Sequence, residues 1–292
     1  MREPGVYTDI SIEDYHNEHE YISASRLKLA KKSLKLFKMS MDGKLHQERK
    51  AHFDFGNAFE LALLDPDNFD TKVANEVDIL NEIYEKKPDT KSPRATTMYR
   101  DWMDSQDGKY VIHSIGDQSF ETIRYMLESC YQDETIQRLI KNVEYQYSIY
   151  FKDRVTGLNL KTRPDICKSK KNVIVDVKTA LDGSPEQFAR DCANNDYPLQ
   201  ACMQIDGALQ SGFMSSVDNY FWLVCEKEPP YSATLYEFAK DDIQWCMDSY
   251  NYVKGIVARA IEENKFPSYS QRADNQKGIL TLNLPLYYKN QL

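Results

Sequence analysis

Residues 144–178 read EYQYSIYFKDRVTGLNLKTRPDICKSKKNVIVDVK, and the pattern in this stretch decides the fold. Its β-branched and aromatic runs, broken by turn residues, read as three short strands. Glu144 opens the first, Arg163-Pro164-Asp165 lies in or at the end of the second, and Asp176-Val177-Lys178 closes the third. Side chains on a strand alternate between faces, so Asp176 and Lys178 share a face. An acid and a lysine at the end of an apolar run are costly unless paired or ligated. Asp165 on the neighbouring strand brings a second carboxylate toward the same point. Two carboxylates and a lysine at one sheet edge can hold Mg²⁺ and place a water beside a phosphate. A structural salt bridge between Asp176 and Lys178 is the plainer alternative.

The ordered set Glu144, Asp165, Asp176-Val177-Lys178 resembles the PD-(D/E)XK nuclease superfamily. Further segments resemble one branch of it, the RecE-type (exodeoxyribonuclease VIII-like) exonucleases of phages and prophages within the RecB-nuclease group. These segments are Gly5-Val6-Tyr7 with Tyr15-His16, Ile22-Ser23-Ala24-Ser25-Arg26-Leu27, Phe55-Gly56-Asn57-Ala58, Gly108-Lys109 and Tyr197-Pro198-Leu199-Gln200-Ala201. The resemblance implies an α/β fold, with a restriction-endonuclease-like core whose mixed central sheet is flanked by helices and extended by an N-terminal helical region. It implies one domain over 1–292, with a mainly helical part over 1–141, a catalytic core over 142–265 and a tail over 266–292.

Composition is that of an ordinary globular chain, 292 residues with 41% hydrophobic and 28% charged. No apolar run approaches the roughly 18 to 20 residues of a membrane span, and Met1-Arg2-Glu3-Pro4-Gly5 opens no signal-peptide core. The six cysteines are dispersed without a C-x-x-C pair, which fits free thiols in a reducing cytoplasm and supports neither zinc nor an iron–sulfur cluster. A net charge of −8 is unlike that of a DNA-binding protein, but a global sum is a poor guide to a local channel. Between Lys152 and Lys178, basic residues including Lys161 and Arg163 outnumber the acids Asp153, Asp165 and Asp176. Lys161 and Arg163 are therefore candidate DNA contacts, although a solvated lysine-rich hairpin explains part of the cluster.

Residues 1–22 read as irregular, and a helix is expected from Ser23 or Ser25 to about Met41. Leu27, Ala30, Leu34 and Phe37 form its apolar stripe. Arg26 and Lys28 belong to the cationic remainder, either a solvated face or a surface that tracks phosphates. The next helix ends at Pro66. The resembled family has G-x-x-x-H in this helix with the histidine ligating metal, and here Glu60 stands four residues after Gly56. Glutamate is a hard oxygen donor suited to Mg²⁺ or Mn²⁺, so Glu60 either replaces that ligand or marks a degenerate site.

Residues 70–107 read mostly as polar loops, with helices over 98–105 and from 117 to about 141. Ser184-Pro185-Glu186 starts another helix, and the one from Tyr197 carries Gln200, which the family places beside the active site. A family tyrosine would fall at Gln204, so no aromatic hydroxyl is expected from that position. Two strands over 218–226 and 232–238 precede a long helix over 240–264, with Trp245 and Ile261 expected inside.

On the family's pattern, Asp165, Asp176 and the Val177 carbonyl bind Mg²⁺, Lys178 positions or helps deprotonate the attacking water, and Glu144 is a second acid. The resemblance further implies 5′→3′ digestion of linear double-stranded DNA from its ends, single-stranded tails for recombination, a ring-like homo-oligomer, a single-strand annealing partner, and a bacterial host cytoplasm. A scaffold with a weakened site and a restriction-type endonuclease are the competing readings.

Overall fold

In the computed structural model, the structure describes residues 2–45, 51–113, 118–141, 147–269 and 279–284. Its strands are β1 (Gly5–Tyr7), β2 (Val73–Asn75), β3 (Tyr110–Ile112), β4 (Ser148–Lys152), β5 (Asn159–Thr162), β6 (Ile166–Lys168), β7 (Val173–Ala180), β8 (Asn219–Glu226) and β9 (Ala233–Glu237). The first helices are α1 (Ile12–Asn17), α2 (Ala24–Lys32), α3 (Leu34–Met41), α4 (Ala51–Leu64), α5 (Phe69–Lys72) and α6 (Glu76–Lys86). Then come α7 (Thr97–Ser105), α8 (Phe120–Gln132), α9 (Glu134–Ile140), α10 (Pro185–Asn194), α11 (Tyr197–Gln210) and α12 (Lys240–Glu262). Among the described residues, no helix is long and apolar enough to cross a membrane.

The architecture is the expected mixed α/β one, with the sheet divided. One sheet runs β1-β4-β5, antiparallel throughout. The other runs β6-β7-β8-β9, with β7 and β8 parallel and the outer pairs antiparallel. β2 and β3 form a small parallel pair. The second of the three strands expected in the deciding stretch is two strands, β5 and β6. Asp165 lies in the connection between them, because Pro164 has no N–H to continue a ladder. The parallel step from β7 to β8 is bridged by α10 and α11.

β7 shows how the sequence builds two layers. Val173, Val175 and Val177 face a core shared with Phe55, Phe59, Ile123 and Met126 from α4 and α8. Ile174 and Ala180 face a second core with Leu27, Phe37, Cys202 and Tyr250 from α2, α3, α11 and α12. β8 alternates in the same way, with Phe221, Leu223 and Cys225 toward the first core and Tyr220, Trp222 and Val224 toward the second. Asp176 and Lys178 take the two positions between Ile174 and Ala180, where the alternation calls for apolar side chains.

Helix α11 lies close against the first sheet. A Cβ at Gly207 would sit 2.8 Å from Thr162 Cγ2 and 2.9 Å from Phe151 Cε1, so only glycine permits this approach. Helix α12 is tied down by Lys254, whose buried ammonium meets Asp153 at 2.6 Å and Asp206 at 3.0 Å. Burial alone would raise Asp153, but hydrogen bonds from Lys254, Thr156 and Gln210 hold it down at about 2.

Several local expectations are corrected. The helix over 25–41 is two helices, broken at Ser33 with φ −161°. The segment from 117 to 141 is also two, with Asp133 accepting the N–H groups of Thr135 and Ile136 to start α9. Residues 1–22 contain β1 and α1, and 70–107 contain the end of α5, β2 and α6. Trp245 is 72% exposed and Ile261 44%, so neither is inside.

Candidate active site

The middle of β7 supplies two charged groups and the β5–β6 connection a third. Lys178 Nζ faces Asp176 Oδ2 as an ion pair, without hydrogen-bond geometry at that oxygen. It lies 3.5 Å from the Val177 carbonyl. Asp165 Oδ2 accepts the Val177 backbone N–H at 2.7 Å. Backbone and side chain together therefore bring both carboxylates and the lysine to one place. Asp176 is buried, 1% exposed, and its other oxygen is held from α11. Gln200 Nε2 donates to Oδ1 at 2.9 Å and Gln204 Nε2 at 3.3 Å. A carboxylate only accepts, so both amides must turn their nitrogens toward it. Gln204 Oε1 then accepts the Tyr220 hydroxyl at 2.7 Å.

Negative charge is crowded here. Asp165 is pushed well above the usual carboxylate range, first by burial and then by Glu60 and Asp176. Burial works against the charge on Lys178, but Asp176 and Asp165 outweigh it and raise its pKa. The Lys178 ammonium also lies 4.9 Å from the centre of the Tyr197 ring. A cavity of about 630 Å³ opens over the site, with Glu60, Arg163, Asp165, Gln200 and Gln204 in its lining. Residues 8–13 and 15–16 wall it from the N-terminal side.

The donor set is all oxygen: Asp165, Asp176, the Val177 carbonyl and Glu60. Hard oxygens in a carboxylate-rich cavity suit a divalent cation of the Mg²⁺ type. Asp176 Oδ2 is buried and paired with the Lys178 ammonium. Among the described residues no three of His, Cys, Asp and Glu are already gathered at metal-binding spacing. The Val177 N–H and the Lys178 ammonium engage the two aspartates in this structure. The chemistry of the donors fits the ion.

Of the residues singled out in the sequence, Asp165, Asp176, Val177, Lys178, Gln200 and Glu60 are brought together here. Glu144 lies outside the described residues. Three of the four candidate DNA contacts need correction. Arg26 is buried and donates to the carbonyls of His19 and Tyr21. Lys161 is 2% exposed and donates to the carbonyls of Tyr15 and Glu18. Arg163 reaches the cavity wall, but its Nη1 donates to Ile10 O at 2.9 Å and Ser148 Oγ at 3.0 Å. These cations hold the N-terminal segment against β5, because buried charge must find acceptors. Lys28 is half-buried beside the site.

Sequence reasoning reads Gln204 only as the place where a family tyrosine would fall, and misses Tyr220. The i, i+4 spacing of Gln200 and Gln204 on one helix was the available signal for the first. A phenol does stand behind Gln204, supplied by Tyr220 of β8.

The family model described as "PDDEXK-like domain of unknown function (DUF3799)" matches residues 23–278. The crystal structure of a candidate exonuclease from Eubacterium rectale is similar, with a TM-score of 0.59 over 97% of this chain and 98% of that one. The two are 12% identical, so the likeness is one of fold. The structure of SSO0001 aligns over 71% of this chain and 88% of that one, with 13% identity and a TM-score of 0.27. No curated protein matches the sequence.

Proposed function

The chain belongs to the PDDEXK-like DUF3799 family, and from that premise we propose that it is a divalent-metal-dependent exonuclease that digests linear double-stranded DNA. The observation that carries this reading is the meeting of Asp165, Asp176 and Lys178 under one cavity, with Gln200 on the Asp176 carboxylate. PD-(D/E)XK nucleases generally use divalent metal ions, and Mg²⁺ is proposed because only oxygen donors are present, with Mn²⁺ able to replace it.

Asp165, Asp176, the Val177 carbonyl and Glu60 would hold the ion. When bound, it supplies Lewis-acid charge at the scissile phosphate. The protein's own groups do the rest. Lys178, as an ammonium, donates to the attacking water or a phosphate oxygen and offsets charge that grows in the transition state. Gln200 and Gln204 fix Asp176 Oδ1, which leaves Oδ2 to the Lys178 ammonium. The Val177 N–H orients Asp165. Water enters through the cavity and the departing oxygen takes its proton from solvent.

Digestion in the 5′→3′ direction, single-stranded tails for recombination, a ring-like homo-oligomer and an annealing protein as partner belong to the same proposal. They rest on the resemblance of the flanking segments.

The test incubates the protein and Lys178→Ala with Mg²⁺ or Mn²⁺ and two DNAs, linear duplex and covalently closed circle. Loss of the linear form alone, abolished in the variant, supports the exonuclease. Cutting of both would turn the reading to an endonuclease. Binding without cleavage in either metal would point to a scaffold, with Glu60→His as the next variant.

A further inference from the structure

Lys28 sits one turn into α2, and its Nζ lies 5.5 Å from the centre of the Tyr197 ring. The same ring carries the Lys178 ammonium at 4.9 Å. Two lysines on one aromatic ring repel each other. Asp176 pairs with Lys178, and Asp196 pairs with Lys31. No described carboxylate is at ion-pair distance from Lys28, although Asp176 and Asp196 are close enough to attract it. A half-buried ammonium with a like charge nearby and no ion pair is unfavourable unless an anion joins it. The Tyr197 ring attracts both cations, which offsets the cost only in part.

We propose that Lys28 is a second cation of the reaction site, and that its missing partner is a backbone phosphate of the nucleic acid within one linkage of the scissile one. This rests on the nuclease reading and deepens it. Arg26 and Lys161, expected on the same surface, are consumed by backbone carbonyls, so Lys28 alone of these three can offer a charge at the reaction site. Both ammonium groups lie against the Tyr197 ring, and Lys178 serves the reacting phosphate while Lys28 serves its neighbour. Burial, and then Lys178, lower the Lys28 pKa to about 8, and Asp176 and Asp196 oppose the shift only in part. Lys28 is a substrate contact, and Tyr197 is a positioning residue.

The test pairs changes in the protein with changes in the DNA. Single-turnover cleavage is measured on a short linear duplex, and on duplexes with one neutral methylphosphonate at each linkage flanking the scissile one. Lys28→Met should slow cleavage of the unmodified duplex by roughly tenfold to a hundredfold. It should cause no further loss on the duplex whose methylphosphonate has already removed its partner. Lys28→Arg should restore most of the rate. In Ca²⁺, without turnover, the slope of log binding constant against log salt should fall by about 0.9 in Lys28→Met, the value for one phosphate contact. An equal loss on every duplex with an unchanged salt slope would overturn the proposal and leave the nuclease reading intact. A wild-type protein that neither cleaves nor binds DNA would overturn both.

Discussion

The Asp165 carboxylate accepts the N–H of Val177 at 2.7 Å, so a loop acid is anchored to the residue that separates Asp176 from Lys178. Charge and anchoring can be taken apart. Asp165→Asn keeps an oxygen acceptor for Val177 and removes the negative charge, whereas Asp165→Ala removes both. Asn should retain wild-type thermal stability or exceed it, since it also relieves the repulsion from Glu60 and Asp176. Both variants should lose divalent-cation binding by calorimetry and cleavage by about 100-fold or more. A melting temperature that falls equally in both would show that the charge itself is structural.

Gln204 links the Tyr220 hydroxyl to Asp176. Tyr220→Phe leaves Gln204 Oε1 buried without a donor, at a cost of about 1–3 kcal/mol. Gln204→Leu strands the hydroxyl and removes a donor from Asp176, so it should cost as much in stability and also lower cleavage. Denaturant unfolding with a parallel activity assay separates the two effects. Loss of activity in Tyr220→Phe beyond its loss of folded protein would mean that the phenol reaches the substrate.

Gly207→Ala forces a methyl group against Thr162 and Phe151. Overpacking of this kind costs about 1–3 kcal/mol. Thr162→Ser removes the Cγ2 atom in the way, so the double variant should recover part of the lost stability. Melting curves of the single and double variants give the coupling. Additive losses would show that α11 shifts as a body instead.

Asp153 makes a pH-dependent contribution. Its folded pKa, about 2, lies below the ordinary 3.8, so the folded state binds its proton more weakly than the unfolded chain does. The stabilisation is therefore complete above about pH 4 and is lost as pH falls toward 2, amounting to about 2 kcal/mol. Asp153→Asn should flatten the acid limb of a plot of urea midpoint against pH while lowering the plateau. An unchanged acid limb would assign it to other carboxylates.

Much of the site was legible because strand alternation puts Asp176 and Lys178 on one face whatever surrounds them. The two-core division of β7 and β8 follows from the same period. What could not be read was the destination of long cations. Arg26, Lys161 and Arg163 look on a sequence like one basic surface, yet their acceptors are carbonyls of residues 10–21, some of them about 150 positions distant. The break at Ser33 is not legible because the apolar stripe runs on in phase across it. Trp245 reads as core on its apolar bulk, but it lies off the helix face that buries Tyr250, Val253 and Val257 and borders an apolar pocket with Phe188 and Trp222.

The family match starts at residue 23, a tempting place to begin a shortened protein. The folded unit begins earlier. Lys161, Arg163 and Arg26 each end on carbonyl oxygens that such a deletion would take away, and Tyr15 and Tyr21 pack around Tyr150 in the same segment. A protein trimmed to that boundary would hold three inward-pointing cations stripped of these acceptors. It would also present the β4 edge that β1 now covers as an adhesive surface. Trimming there should turn a folded enzyme into one that aggregates.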